Sequence, residues 1–212
     1  MVYYAVVDLT GPALDDVKRR AKRLIRQRMR ALRGAIPGAP RSDRSRAIAE
    51  RVLALPEVEG ARSLASFWPM EDKGEVDLRL VDERCRARGV RLFYPSAVPG
   101  NRDESVPGFR LVEHLAEMAE AGHGFLEPRE DAPVALPGEL EVVLVPALAV
   151  SELGHRLGYG AGFYDQVLPR FCPPGVSVVV AHHFELLAEL PTDEWDVACD
   201  IVVTDARVIR VK

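Results

Sequence analysis

Between positions 156 and 165 the chain reads Arg-Leu-Gly-Tyr-Gly-Ala-Gly-Phe-Tyr-Asp, the stretch richest in residue types that can do chemistry. Glycines at alternate positions, Gly158, Gly160 and Gly162, allow a backbone with positive φ. They let successive N–H groups converge on an anion that a Cβ would obstruct. A helix beginning just after them adds the positive end of its dipole. Arg156 brings a guanidinium suited to charge-assisted hydrogen bonds with phosphate oxygens. Asp165, one turn on, is placed to hold Mg2+ beside that phosphate. The bare Gly-x-Gly-x-Gly pattern fits a structural turn as well as it fits a phosphate site. The buried strand before it, the arginine at its entrance and the aromatic-aspartate pair at its exit favour the phosphate.

Such a loop needs a strand to feed it and a helix to receive it. Glu141 to Val145 is a continuous apolar run, the pattern of a strand buried on both faces of a parallel sheet. A helix starts at Phe163–Leu168, and Val176–Val180 and Ile201–Val203 read as two further buried strands. Upstream, Arg62–Trp68 and Val90–Tyr94 are strand candidates bounded by glycine and proline. Between them lie helical patterns. The first, around Lys18–Arg33, is broken by Pro37, Gly38 and Pro40; the second has Ser42 as N-cap and ends near Pro56. A third spans Glu75–Arg88, with Gly89 as its stop, and a fourth covers Val112–Ala121. Ser96–Pro107 reads as loop and Gly122–Pro137 as a turn-rich crossing. Strands alternating with helices predict an α/β fold, a doubly wound and mostly parallel sheet with helices on both faces. A length of 212 residues suits one domain, over residues 13–212, after a lead at 1–12 that is either an extra strand or flexible.

Composition narrows the function classes. With 48% hydrophobic and 28% charged residues, the chain has the make-up of a globular domain and not of a disordered one. No apolar run is long enough to cross a bilayer, and Met1–Thr10 lacks the basic n-region of a signal peptide. Cys85, Cys172 and Cys199 are scattered, which fits reduced thiols in the cytoplasm and argues against structural zinc. A net charge of −4 gives no general reason to expect nucleic acid. Lys18 to Arg33 is the exception, dense in Lys and Arg. Ala21, Ile25, Met29 and Leu32 recur there at helical spacing and supply a buried side, so most of the cations form a solvated face. No aromatic or base-reading pattern accompanies them, so the partner expected is one phosphate and not a nucleic acid. His182–His183 reads as a surface pair at a strand end, because no ligand spacing elsewhere completes a metal site.

The run Arg156 to Leu168 resembles the Arg-Leu-Gly-x-Gly-x-Gly-Tyr-Tyr-Asp signature of the 5-formyltetrahydrofolate cyclo-ligase family, also called methenyltetrahydrofolate synthetases. Four further segments resemble family elements in the same order: Gly74–Asp77, Gly124–Pro128, Leu144–Ala149, and Pro191–Asp200 with the Val202–Thr204 strand behind it. The resemblance implies a Rossmann-like sheet of the kind found in sugar-phosphate isomerases and CoA-transferases. It also implies an ATP-dependent ligase that uses Mg2+ to turn 5-formyltetrahydrofolate into 5,10-methenyltetrahydrofolate, with release of ADP and phosphate. The expected partners are ATP and the folate, with no membrane, and the expected state is a monomer in the cytoplasm.

Carried over by position, ATP is held by Lys18 and Lys22 and by the loop of Arg156, Leu157, Gly158, Tyr159, Gly160, Ala161, Gly162, Phe163 and Tyr164. Folate is held by Glu75, Trp68 and the middle of the same loop, Tyr159 to Phe163. Arg156, Tyr159 and Glu75 are the expected catalytic residues, and Asp165 and Asp196 the expected Mg2+ ligands. Other readings stay open: turn or helix capping for the two aspartates, a helix-start acid for Glu75 and a core aromatic for Trp68. A register using Lys22 and Arg26 keeps the same spacing as Lys18 and Lys22, whereas the latter leaves Arg26 little to do. The chain departs from the family at Lys22 (for arginine), Ala161, Phe163 (for tyrosine) and Glu185 (for glutamine), and in a longer Phe67–Lys73 connection. These departures bear on substrate identity, leaving room for a paralogue acting on another amide or carbonyl compound, or for a nucleotide- or folate-binding regulator.

Overall fold

The computed structural model describes residues 11–100, 104–121 and 125–211. It opens with α1 (Pro12–Ala35), α2 (Gly38–Leu53) and the short α3 (Pro56–Glu59). β1 (Ser63–Ala65) begins the sheet, and α4 (Arg79–Ala87) leads on to β2 (Arg91–Pro99) and β3 (Ser105–Leu111). Then come β4 (Met118–Ala121), β5 (Phe125–Pro128), β6 (Val142–Pro146), β7 (Ala149–Ser151) and β8 (Arg156–Leu157). α5 (Phe163–Phe171), β9 (Val176–Val180), β10 (Leu186–Leu187), β11 (Ile201–Val203) and β12 (Val208–Arg210) complete the order.

The main sheet runs β12-β11-β9-β6-β1-β2-β3. Its inner five strands are parallel, and β12 and β3 close the edges antiparallel. Successive side chains of a strand point to opposite faces. On one face Leu64, Leu92, Leu144 and Val178 pack with Ile48 and Val52 of α2 and Val81 and Cys85 of α4. On the other, Ala65, Phe93, Val143 and Val179 pack with Val167, Leu168 and Phe171 of α5. Both faces are therefore buried, which is why these strands read as unbroken apolar runs. From β1 the chain moves to β2 and β3 on one side, and β6, β9, β11 and β12 are laid down on the other. The loops leaving β1 and β6 diverge at that switch point, and a crevice opens beyond the carboxyl ends of the strands.

Several local expectations are corrected. α2 starts at Gly38 and not at Ser42, because Pro40 falls in its first turn, where a missing N–H breaks no helical bond. α4 starts at Arg79, so Glu75 lies outside it. Val112–Ala121 forms no α-helix; a 3-10 turn at Leu115–Glu117 passes into β4, which pairs with β5 inside the expected crossing segment. Ser96–Pro99 and Ser105–Pro107, expected as loop, are strand instead and form the outer end of the β2–β3 hairpin. Pro107 is tolerated there because β3 is an edge strand. Gly108 is required, since a Cβ would lie 2.5 Å from a Val98 methyl. In α1 the buried residues are Lys22, Met29 and Arg33, while Leu32 is 41% exposed. The buried side is thus mixed: Met29 is buried and Ile25 packs beside it as expected, but Lys22 and Arg33 are buried with them. Of the lead expected at 1–12, Met1–Thr10 lies outside the described residues, as does Gly124, and Pro12 is already helical. No helix among the described residues is long and apolar enough to cross a membrane.

Candidate active site

The crevice at the switch point is a cavity of about 1050 Å³. Ligand pockets occupy roughly 300–1,000 Å³, so this one lies at the upper end of that range. Its two halves differ in character. One is apolar, walled by Phe67, Trp68 and Met70 beyond β1, Val106 and Pro107 of β3, and Leu126 of β5. The other is charged, with Lys22 and Arg26 from α1, Arg156 and Asp165 around the glycine loop, and Asp193 and Asp196 opposite.

The glycine loop does not follow β6 directly, because the β7–β8 hairpin comes between them. It leaves β8 at Arg156–Leu157 and enters α5 at Phe163, with Gly162 as N-cap. Gly160 (φ +109) and Gly162 (φ +68) both hold conformations that a side chain resists. All of Arg156 to Asp165 lines the cavity. Arg26 fastens the loop from α1, donating from Nε to the Gly158 carbonyl at 2.8 Å. Phe163 turns into the core, edge-on to Phe109 at 5.8 Å, so the hydroxyl it lacks is replaced by an apolar anchor. The Tyr164 hydroxyl is buried without a partner among the described residues, and burial raises its pKa.

Arg156 is almost fully engaged. Nη2 donates to Asp165 Oδ1 at 2.9 Å, and Nη1 donates to the Val197 carbonyl. Asp165 Oδ1 also accepts the Val197 N–H at 3.2 Å. The arginine therefore ties three walls of the charged half together. Across from it, Lys22 Nζ donates to Asp193 Oδ2 at 2.6 Å and Asp196 Oδ2 at 2.5 Å. Burial alone would lower the pKa of Lys22, but the two carboxylates outweigh it and leave the amine more basic than usual. Lys18 does not line the cavity; its Nζ stands 3.9 Å from Asp193 Oδ1. Of the two registers on α1, the cavity is lined by Lys22 and Arg26.

Asp165 and Asp196 come to the same charged half, as expected, and no group of three or more His, Cys, Asp or Glu able to cage a metal occurs among the described residues. Mg2+ needs no such cage, since it keeps waters and takes one or two carboxylates together with substrate phosphates. The donor set fits that mode. Asp200, the other aspartate of the closing segment, is used elsewhere, accepting from the Ser177 N–H and hydroxyl at 2.8 and 2.6 Å.

Glu75 is 7% exposed and lies on the cavity wall after Gly74, whose φ is +60. Its Oε2 accepts the Met70 N–H at 2.9 Å, and among the described residues no donor reaches Oε1. The helix-start reading of this residue is overturned, since α4 begins four residues later. Burial raises its pKa, against the pull of the Met70 N–H and of Arg33. Tyr159 lies beneath Arg30 and Lys73, whose charged heads stand 5.5 and 5.3 Å from its ring centre. Burial and the nearby Glu75 push its hydroxyl up to about 12, so it stays protonated and able to donate at neutral pH. Trp68 is half-buried, both packed on the core and open to the cavity.

His182 is corrected: it is fully buried, stacked on Phe184 at 5.5 Å, and not a surface residue. Neither ring nitrogen finds a partner among the described residues, and burial pushes its pKa down to about 4. Residues that the sequence did not single out are Asp193, Trp195 and Arg33. Asp193 precedes Asp196 by three, a turn spacing that was the available signal. Trp195, 71% exposed at the cavity mouth, carries no pattern of its own.

A model of the 5-formyltetrahydrofolate cyclo-ligase family matches residues 18–205. The 5-formyltetrahydrofolate cyclo-ligase of Escherichia coli K12 is 30% identical over 187 residues, covering 87% of this chain and 98% of that one. The enzyme of the same name from Mycolicibacterium smegmatis is 30% identical over 192 residues, covering 90% and 96%. Among solved structures, the Aquifex aeolicus 5,10-methenyltetrahydrofolate synthetase superposes with a TM-score of 0.77 at 29% identity, covering 90% of this chain and 93% of that one.

Proposed function

This chain belongs to the 5-formyltetrahydrofolate cyclo-ligase family, and on that basis we propose that it converts 5-formyltetrahydrofolate and ATP, with Mg2+, to 5,10-methenyltetrahydrofolate, ADP and phosphate. The observation that supports this most is that one cavity is lined both by apolar side chains, Phe67, Trp68 and Leu126, and by the glycine loop with Lys22, Arg26, Asp165 and Asp196.

The chemistry explains why both halves are needed. A formamide oxygen is a poor leaving group. Transfer of the γ-phosphoryl group to that oxygen makes it one; N10 then attacks the formyl carbon, the carbon–oxygen bond breaks, and N10 gives up its proton as phosphate departs and the ring closes. Such a reaction asks the protein mainly for positioning and charge neutralisation. The loop N–H groups from Gly158 to Gly162, with Lys22 and Arg26, face the phosphates. Asp165 and Asp196 would hold Mg2+, which would supply further neutralisation of phosphate charge. Arg156 keeps Asp165 aimed. On the apolar side, Trp68 lines the pterin space and Glu75 offers Oε1 to its hydrogen-bonding edge, with the protonated Tyr159 hydroxyl near Glu75. The free cysteines fit the cytoplasm.

The test is the fate of the formyl oxygen. With 18O in the formyl group, the label should appear in inorganic phosphate; label released into water would rule out phosphorylation of that oxygen.

A further inference from the structure

One cation of α1 takes no part in the chemistry above, yet it is buried deepest. Arg33 is 1% exposed, and its partner Glu185, in the turn after β9, is 0% exposed. Neither lines the cavity. Arg33 Nε donates to Glu185 Oε1 at 2.7 Å, and Glu185 Oε2 accepts the His182 N–H at 2.9 Å. Nη2 also lies 2.7 Å from Glu185 Oε1, and both Nη atoms reach groups of the cavity wall. Nη2 donates to the Ala147 carbonyl at the end of β6 at 2.7 Å, and Nη1 reaches the Tyr159 hydroxyl at 3.5 Å. The side-chain stem packs under Gly74, where an added Cβ would come within 3.2 Å of Arg33 Cγ. Three segments that build the cavity therefore meet on one side chain: the Gly74–Glu75 turn, the end of β6 and the glycine loop.

Stability alone is a poor account of this pair. Removing two charges from water costs more than their attraction commonly returns, and apolar residues of like volume often serve as well. Burial pushes Glu185 up to about 7 even with Arg33 beside it, so the ionised carboxylate is held there at a cost. The other titratable groups facing it are Glu75 from the turn after β1, itself raised by burial, and the neutral His182 ring.

We propose that Arg33 is a positioning residue for the folate half of the cavity, holding the Tyr159 hydroxyl and the Gly74–Glu75 turn in register with the end of β6, with Glu185 as its buried counterion. The inference rests on the folate-ligase reading and adds a specific support behind it. Replacing the pair together separates positioning from folding. In Arg33→Met/Glu185→Gln the glutamine carbonyl can still accept the His182 N–H, and no charge is left unpaired. Its Tm should match or exceed that of the wild type, and its KM for ATP should stay within twofold. Its kcat/KM for 5-formyltetrahydrofolate should fall at least tenfold, and its calorimetric Kd for that folate without nucleotide should rise by a similar factor. Wild-type folate kinetics and affinity in the double variant would overturn the proposal. Should the double variant fail to fold, Arg33→Lys decides in its place, because it keeps the charge beside Glu185 but lacks the fork that reaches Ala147 and Tyr159 together. The same folate-selective loss is expected there, and wild-type values would overturn the inference. Failure of the wild type to bind or turn over 5-formyltetrahydrofolate would instead bring down the function itself.

Discussion

Replacing Glu75 by glutamine separates folate recognition from everything else in the cavity. Glu75 is 7% exposed, its Oε2 accepts the Met70 N–H, and Oε1 is left to the cavity. Glutamine keeps the size and can keep the Met70 bond through its carbonyl, but it presents an NH2 where the carboxylate presented an acceptor. A charge-assisted hydrogen bond to the pterin edge is worth about 1.5–3 kcal/mol. At 1.4 kcal/mol per tenfold, kcat/KM for 5-formyltetrahydrofolate should drop roughly ten- to a hundredfold or a little more, with KM for ATP unchanged. Stability should move the other way. The folded-state pKa of Glu75 is raised above 4.5, so the folded protein holds a proton that the unfolded chain has released. Wild-type stability therefore falls as pH rises from about 4.5 through the raised value and stays lower above it. The neutral glutamine side chain carries no such penalty, so the variant should melt no lower than the wild type at pH 8, with the gap closing toward pH 4. The assays are initial rates of methenyltetrahydrofolate formation with each substrate varied, and melting curves at both pH values. Unchanged folate kinetics with a lowered Tm would make Glu75 a structural residue and take it out of folate recognition.

Three further outcomes test the charged half. Asp165→Asn keeps an oxygen for Arg156 and Val197, so its Tm should stay close to wild type while turnover at limiting Mg2+ falls at least tenfold; near-normal activity there would remove Asp165 from the metal. Lys22→Ala and Arg26→Ala should each raise the KM for ATP on the order of tenfold or more, whereas Lys18→Ala should stay within about twofold. A large effect at Lys18 with none at Arg26 would place the phosphates one turn nearer the start of α1. Gly160→Ala forces a side chain onto φ +109, at about 1–3 kcal/mol, and should lower the Tm by several degrees. Gly158→Ala, with no positive φ and open space around the added Cβ, should leave the Tm near that of the wild type; equal shifts in the two variants would contradict the loop conformation.

The elements easiest to read were those whose environment is uniform. β9 and β11 match their apolar runs because both faces of each strand are covered, and the glycine loop was visible because alternate glycines have a conformational cause. What misled was local chemistry overruled by distant partners. Val112, Leu115 and Met118 have a helix-like spacing, yet the chain there pairs as an edge ribbon with β5, which no local pattern announces. Pro95, Pro99 and Pro107 look like breaks, but the hairpin accommodates them. The charges of α1 read as a solvated face because their partners, Asp193, Asp196 and Glu185, lie more than 150 positions away. For the same reason His182 reads as exposed: its burial depends on the whole sheet end closing over it.

The most direct measurement is the appearance of methenyltetrahydrofolate absorbance when the purified chain meets 5-formyltetrahydrofolate, with ATP and Mg2+ supplied together or omitted in turn. Product is expected only when both are present, with one ADP per methenyltetrahydrofolate formed, and none when either is withheld. Product formed without ATP, or ATP consumed with the folate left unchanged, would contradict the proposed reaction.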